Sequence, residues 1–201
     1  RDPDDTGWDP SWNEFFAASR DEAEAWLGEC PDATYTARPS PASDALPVNC
    51  VNWYMAQAFC IWDGARLPTE AEWNFAAAAG PEQRVYPWSV PADAVAIDAT
   101  RAVYDTDLPR AVGSVSPAGD GRFGQADLSG NLSEWVLDVY RPLYADGPCS
   151  DCAEVAPDRS RVLRGGNFAQ TAENLRGGVR TPLGASTSSE EVGFRCARPV
   201  P

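Results

Sequence analysis

The sequence predicts an α+β domain, and two observations carry that expectation. Helical periodicity with capping signals fills much of the first 80 residues. From residue 81 onward it disappears, and short apolar pieces alternate with turns. With 201 residues the chain is long enough for one domain with a real core, or at most two small ones. No linker, internal repeat or low-complexity tract divides it, so a single domain over 1–201 is expected.

Each element has a local signal. Residues 1–10 are polar and turn-rich. Ser11 and Glu14 have capping-box spacing, and so do Ser19 and Glu22, which predicts helix from Ser11 to about Leu27 with a break near Ser19. Residues 31–47, rich in Pro, Ser and Asp, read as loop. Asn52 caps a second helix, 53–63, with Trp53, Ala56, Phe59 and Cys60 on one face and Gly64 ending it. Leu67-Pro68 leads to a third box, Thr69 with Glu72, and a helix over 70–79 closed by Gly80-Pro81. Strand-like pieces follow at Val85-Tyr86, 112–115, Trp135-Val136-Leu137, Val162-Leu163 and Phe194-Arg195-Cys196.

Composition excludes several chemistries. The formal charge is −14 and all sixteen basic residues are Arg. That field repels phosphate backbones, so nucleic acid is not an expected partner. The acidity suits solubility, or more sharply cation binding. No apolar run reaches the roughly 18 residues of a membrane span, so no direct membrane insertion is expected. The chain has no His, which removes Ser-His-Asp and Cys-His catalysis and the usual zinc and iron sites. It opens on Arg1-Asp2-Pro3, without Met or signal peptide, and reads as a trimmed or mature fragment.

Six cysteines without a metal-like cluster suggest disulfides and an oxidising compartment, hence a secreted or cell-surface protein. Cys149 and Cys152 have CxxC spacing. A zinc knuckle would need a second close pair, and a redox pair normally sits at a helix start. This pair follows Asp146-Gly147-Pro148 and reads as a loop clip.

The segment 127–134, Asp-Leu-Ser-Gly-Asn-Leu-Ser-Glu, brackets a tight Gly130 turn with two carboxylates. Hard oxygen donors at that spacing suit calcium. The alternative is a turn in which Glu134 caps backbone amides. Glu70 and Glu72 open a helix, where carboxylates face the positive end of its dipole, and read as scaffold rather than as an acid/base pair.

Five stretches together resemble the formylglycine-generating enzyme, or sulfatase-modifying-factor, family. They are LPVNCVNWYMAQAFCIWDGARLPTEAEWNFAAAAG (46–80), VYPW (85–88), FGQADLSGNLSEWVLD (123–138), RVLRGGNF (161–168) and GFRCARP (193–199). The resemblance implies a C-type-lectin-like fold with a small twisted antiparallel sheet, few helices and long ordered loops. It implies an N-terminal strand region before the first helix, which this chain lacks, so those strands were removed or come from another segment. It implies calcium on the side chains of Asp127 and Glu134 and the carbonyls of Gly130 and Leu132, and a second calcium near Asp98 and Asp105. It also pairs Cys60 with Cys196, which leaves Cys30 with Cys50 and Cys149 with Cys152.

Family members that oxidise a substrate cysteine to formylglycine use two cysteines just after the diglycine, and thiolates suit the Cu(I) they hold. Here Gly165-Gly166 is followed by Asn167, where the family has a serine, and by Phe168, Ala169, Gln170, Thr171, Ala172, Glu173, Asn174 and Leu175. Both cysteines are missing, so no copper is expected. The related sulfoxide synthases use a histidine-rich iron site, which this chain cannot build. Asn167, Phe168, Gln170, Thr171 and Asn174 remain as a surface that can hydrogen-bond a ligand without activating it. Arg176, Arg180 and Arg195 read as core salt bridges, or alternatively as anion contacts.

The expectation is a non-catalytic extracellular binding or structural domain that recognises a peptide, a glycan or a protein subunit. Two alternatives stand beside it. One is a formylglycine-generating-type oxidase or modifying enzyme completed by another segment or partner chain. The other is a building block of an extracellular assembly.

Overall fold

The structure is a computed structural model and describes residues 7–30, 34, 41–143, 153 and 160–198. Four α-helices, α1 (Arg20–Gly28), α2 (Pro41–Asp44), α3 (Trp53–Trp62) and α4 (Glu70–Ala77), precede four strands. These are β1 (Ser133–Val139), β2 (Ser160–Arg164), β3 (Thr181–Gly184) and β4 (Val192–Phe194). The sheet order is β3-β2-β1-β4. β2 runs antiparallel to β1 and β3, whereas β4 lies parallel to β1. The sheet is therefore mixed rather than wholly antiparallel.

The capping signals account for the helix starts. Asn52 accepts from the Met55 amide, and Ser19 accepts from that of Glu22. Thr69 and Glu72 form a complete capping box. The first predicted helix is two pieces. Residues Pro10–Phe15 form a 3-10 helix capped by Asp9, whose side chain accepts from the Ser11 amide, so Ser11 is not the cap. The predicted loop 31–47 contains α2 within it. Residues 85–86 and 112–115 form no strand, and β3 has no apolar run to announce it.

β1 is buried on both faces, which explains its continuous apolar run. Successive strand side chains point to opposite faces. Trp135 and Leu163 join Trp12, Trp53, Tyr54 and Leu67 in one core. Val136 and Val162 pack with Trp73, Ala77 and Leu128 in another. The sheet thus sits between α3 and α4. Trp53 Nε1 donates to the Val136 carbonyl at 2.9 Å, and Trp135 Nε1 donates to that of Val51 at 3.0 Å. Phe59, expected on the buried face of α3, is half exposed.

Two disulfides, Cys30–Cys50 and Cys60–Cys196, are formed as expected. The second ties α3 to the chain just after β4 across 136 residues of sequence and restricts the unfolded ensemble strongly. Both are what maturation in an oxidising compartment produces. Cys149 and Cys152 lie outside the described residues.

Buried arginines stitch the sheet to α3 and α4. The Arg161 guanidinium lies 3.8 Å over the Trp53 ring. Arg164 donates to Asn74 Oδ1 and to the Gly177 and Val179 carbonyls, each at 2.7 Å. Glu70, only 5% exposed, receives Arg180 on both oxygens, at 2.5 and 2.8 Å. The Glu70 amide donates to Asp138 Oδ2 at 2.7 Å. Burial pushes the Asp138 carboxyl up to about 6, against the pull of that amide. Its folded value lies above the ordinary one, so the native state holds the extra proton. Stability from this group is therefore full below about pH 4 and is lost as pH rises through 6. Asp138→Asn keeps an acceptor for the Glu70 amide. We expect it to remove this fall, gaining on the order of 2 kcal/mol on the wild type between about pH 4 and pH 7.5 in urea unfolding. Parallel pH profiles for the two proteins would contradict it.

Candidate functional site

Two loops close on each other at the ends of β1 and β2. The 127–134 turn feeds β1, and the diglycine loop leaves β2. Gly130 has φ 86°, and a Cβ there would meet the Val103 carbonyl oxygen at 2.4 Å. Only glycine fits such an approach. Gly166, at φ 68°, is packed against the Asn174 carbonyl, whose oxygen a Cβ there would meet at 2.9 Å. The Gly130 amide donates to the Gly165 carbonyl and the Phe168 amide to that of Asn131, both at 2.9 Å. The two loops therefore share backbone bonds.

Glu134 sits at the hub. It is 6% exposed. Its Oε2 accepts from Trp73 Nε1 at 2.7 Å and from Arg195 Nε at 2.6 Å, while Oε1 accepts from Arg195 Nη2 at 2.5 Å. Arg195 Nη2 also reaches the Ala126 carbonyl at 3.0 Å. Asp127, in a left-handed conformation at φ 55°, accepts from the Gly113 amide on Oδ2 at 2.7 Å. Its Oδ1 is buried without a partner. Burial raises the Asp127 carboxyl, with the Gly113 amide and Arg195 opposing.

These atoms test the calcium expected from the resemblance. Asp127 Oδ1 is an oxygen left over for a cation. Glu134 is already neutralised by a fork of Arg195 and hydrogen-bonded by Trp73, so the donor set fits calcium in part only. At the second expected site, Asp98 Oδ1 is taken by the amide and hydroxyl of Thr100 at 2.8 and 2.5 Å. Asp105 adopts φ 49°. Among the described residues no group of three or more Cys, Asp or Glu side chains is gathered as metal ligands would be.

The residues expected to face a ligand divide. Asn167 and Phe168 are 3% and 4% exposed. Asn167 Oδ1 accepts from the Ala169 amide at 3.1 Å, and its Nδ2 lies 3.4 Å from both Ser133 Oγ and Glu191 Oε2. Phe168 packs with Val103, Val115 and Leu132. These two close the loop from within, which corrects their expected place on its surface. Gln170 is half-buried, with its Oε1 accepting from the Asn167 amide at 3.3 Å, whereas Thr171 and Asn174 are exposed.

Sequence reasoning missed the other wall, apart from Asp105, which it assigned to a second calcium. The Asp105 amide donates to the Gln170 carbonyl at 3.0 Å, and the Thr106 amide to that of Phe168 at 2.8 Å. This clamp opens a cleft of about 290 Å³ bordered by Asp105, Asp107, Glu190 and Glu191 beside Phe168 and Ala169. The paired acids at 190–191, just ahead of GFRCAR, were the available signal. The arginines follow the salt-bridge expectation at Arg180 and Arg195. Glu72 binds Arg66 and the Thr69 amide, and Arg66 holds its carboxyl below the usual range. Glu70 and Glu72 are scaffold.

Residues 9–200 match the Sulfatase-modifying factor enzyme 1-like domain. The chain is 32% identical over 188 residues to an inactive C-alpha-formylglycine-generating enzyme 2 of Mus musculus, covering 86% of this chain and 57% of that protein. It is 34% identical over 166 residues to a formylglycine-generating enzyme of Streptomyces coelicolor, covering 75% and 52%. The chain thus spans about half the length of these curated relatives. Among solved structures, Treponema denticola variable protein 1 shares the fold with a TM-score of 0.65 at 22% identity, over 90% of this chain and 82% of that one. With the motifs and a family match over nearly its whole length, this chain belongs to the sulfatase-modifying-factor family.

Proposed function

We propose that this is a non-catalytic binding or structural domain on a C-type-lectin-like frame, secreted or displayed at a cell surface. It would recognise a peptide, a glycan or a neighbouring subunit through the exposed part of the diglycine loop and the acidic cleft beside it. One observation carries the reading. After the diglycine the chain presents Asn167, Phe168 and amide or hydroxyl side chains, with no thiol from 165 to 175, and Asn167 and Phe168 are committed to closing the loop. Hydrogen-bonding groups of this kind can orient a ligand but supply no soft donor for monovalent copper. The inactive relative shows that the family contains members so named.

The cleft adds charge selectivity. Four carboxylates border it in a chain of net charge −14, so a partner with a cationic group is favoured and nucleic acid is not. A building block of an extracellular assembly would use the same surface.

An oxidase completed by another segment or chain is the competing reading, since the chain matches little more than half the length of these relatives. Incubation with Cu(I) and a cysteine-containing sulfatase-type peptide separates the two. We expect mass spectrometry to find the peptide thiol unchanged, and a formylglycine product would overturn the binding reading.

Calcium is the reading the resemblance implies, and of its two expected side chains only Asp127 has an oxygen left over for it. Because Arg195 already neutralises Glu134, we expect the melting temperature to be the same in EDTA and in calcium chloride. A fall in EDTA that Asp127→Asn abolishes would establish the ion.

A further inference from the structure

A second cavity, of about 420 Å³, opens between the end of α1 and the loop before β4. Trp26, Glu29 and Cys30 form one wall, and residues 188–191 form the other. Both walls are pinned. The Cys30–Cys50 bridge holds the end of α1, and the Cys50 amide donates to the Ser189 carbonyl at 3.1 Å. Asn49 Nδ2 donates to the Glu190 carbonyl at 2.7 Å. Glu190 and Glu191 also border the acidic cleft, so the two hollows share an edge.

Two independent features of this cavity point to a cation. The first is an unattended ring. Trp26 is half-buried. Among the described residues it is the tryptophan whose side chain meets no other ring, no cation and no hydrogen-bond partner. Elsewhere in this fold a guanidinium lies over an indole, Arg161 over Trp53 at 3.8 Å and Arg164 over Trp73 at 4.9 Å. The second feature is unbalanced charge. Glu24, Glu70, Glu72, Glu82 and Glu134 each meet an Arg, whereas among the described residues Glu29, Glu190 and Glu191 meet none. Glu29 is also the C-cap of α1, whose last turn carries no basic residue, so its charge faces the negative end of the helix dipole. Carboxylates with free lone pairs favour a cation with several N–H donors over a methylated one, and a flat indole favours a planar cation.

We propose that this cavity binds an arginine side chain of a partner peptide. The guanidinium stacks on Trp26 and donates to Glu29 and Glu190, and the peptide continues over the Glu190–Glu191 edge toward the acidic cleft. The assignment deepens the cationic partner proposed for that cleft and rests on that reading, and it adds Trp26 and the end of α1 to the surface.

The probe is N-acetyl-arginine amide, titrated into the full ¹⁵N-labelled chain and followed by NMR. Saturable shifts are expected at the Trp26 indole N–H and the Glu190 and Glu191 amides, with a midpoint in the millimolar range for so small a ligand. N-acetyl-citrulline amide, which has the same shape without the charge, should bind about tenfold more weakly. N-acetyl-lysine amide, which cannot stack or fork, should bind about threefold more weakly. Trp26→Ala should weaken the arginine probe about fivefold, and α1 has no fully buried residue, so the core is left intact. Glu190→Gln keeps the shape of the side chain and should weaken the probe by a similar factor. Equal binding of the arginine and citrulline amides, equal binding of the arginine and lysine amides, or unchanged binding by Trp26→Ala would each overturn the proposal. Saturable shifts confined to Thr106 and Ala169 would overturn this site and leave the cleft reading standing, whereas no saturable shift at either place would remove both.

Discussion

Glu134 is the point at which the fold is tied together. It lies on β1 and accepts from Trp73 on α4 and from Arg195 just beyond β4. One buried carboxylate therefore holds a helix, the central strand and the last segment of the chain. A carboxylate this buried is tolerable only when paired and hydrogen-bonded, and Arg195 supplies the pairing through two bonds. The Cys60–Cys196 bridge lies next to Arg195 and brings the guanidinium to its place. Where the turn has no such partner, at Asp127 Oδ1, the oxygen stays unsatisfied.

The same junction decides what the diglycine loop can do. Its backbone is fixed by bonds from Gly130 to Gly165 and from Phe168 to Asn131. With Gly166 pressed against the Asn174 carbonyl, the loop has one narrow path. Asn167 fills the point where chemistry would begin, and it bonds inward. The diglycine is kept, and no cysteine follows it through residue 175. Exposed Thr171 and Asn174 stand on this loop beside four carboxylates, which is the surface we propose for recognition.

The legible parts of this molecule are those whose signal is local. Asn52 and Thr69 read directly as helix caps, because a side-chain oxygen three residues before an amide is a short-range fact. The apolar runs of β1 and β2 announced buried strands. β3 did not, because Thr181–Gly184 carries a proline and lies half exposed at the sheet edge. Phe59 was misplaced by helical spacing because α3 is apolar on more than its core face, and Trp62 is exposed as well. The parallel pairing of β4 and the acidic cleft come from segments some 60 to 85 residues apart, which no local pattern records. Asn167 was legible as a replaced position and Phe168 as its neighbour, but neither was legible as buried.

A double-mutant cycle on Glu134 and Arg195 tests the account most directly. Glu134→Gln and Arg195→Met would be compared with the double variant by denaturant unfolding. If the pair is the tie described, each single change costs about 3 kcal/mol, and the double costs little more than the worse single. Additive losses, or a large loss at Glu134 with none at Arg195, would show that Glu134 serves some other partner.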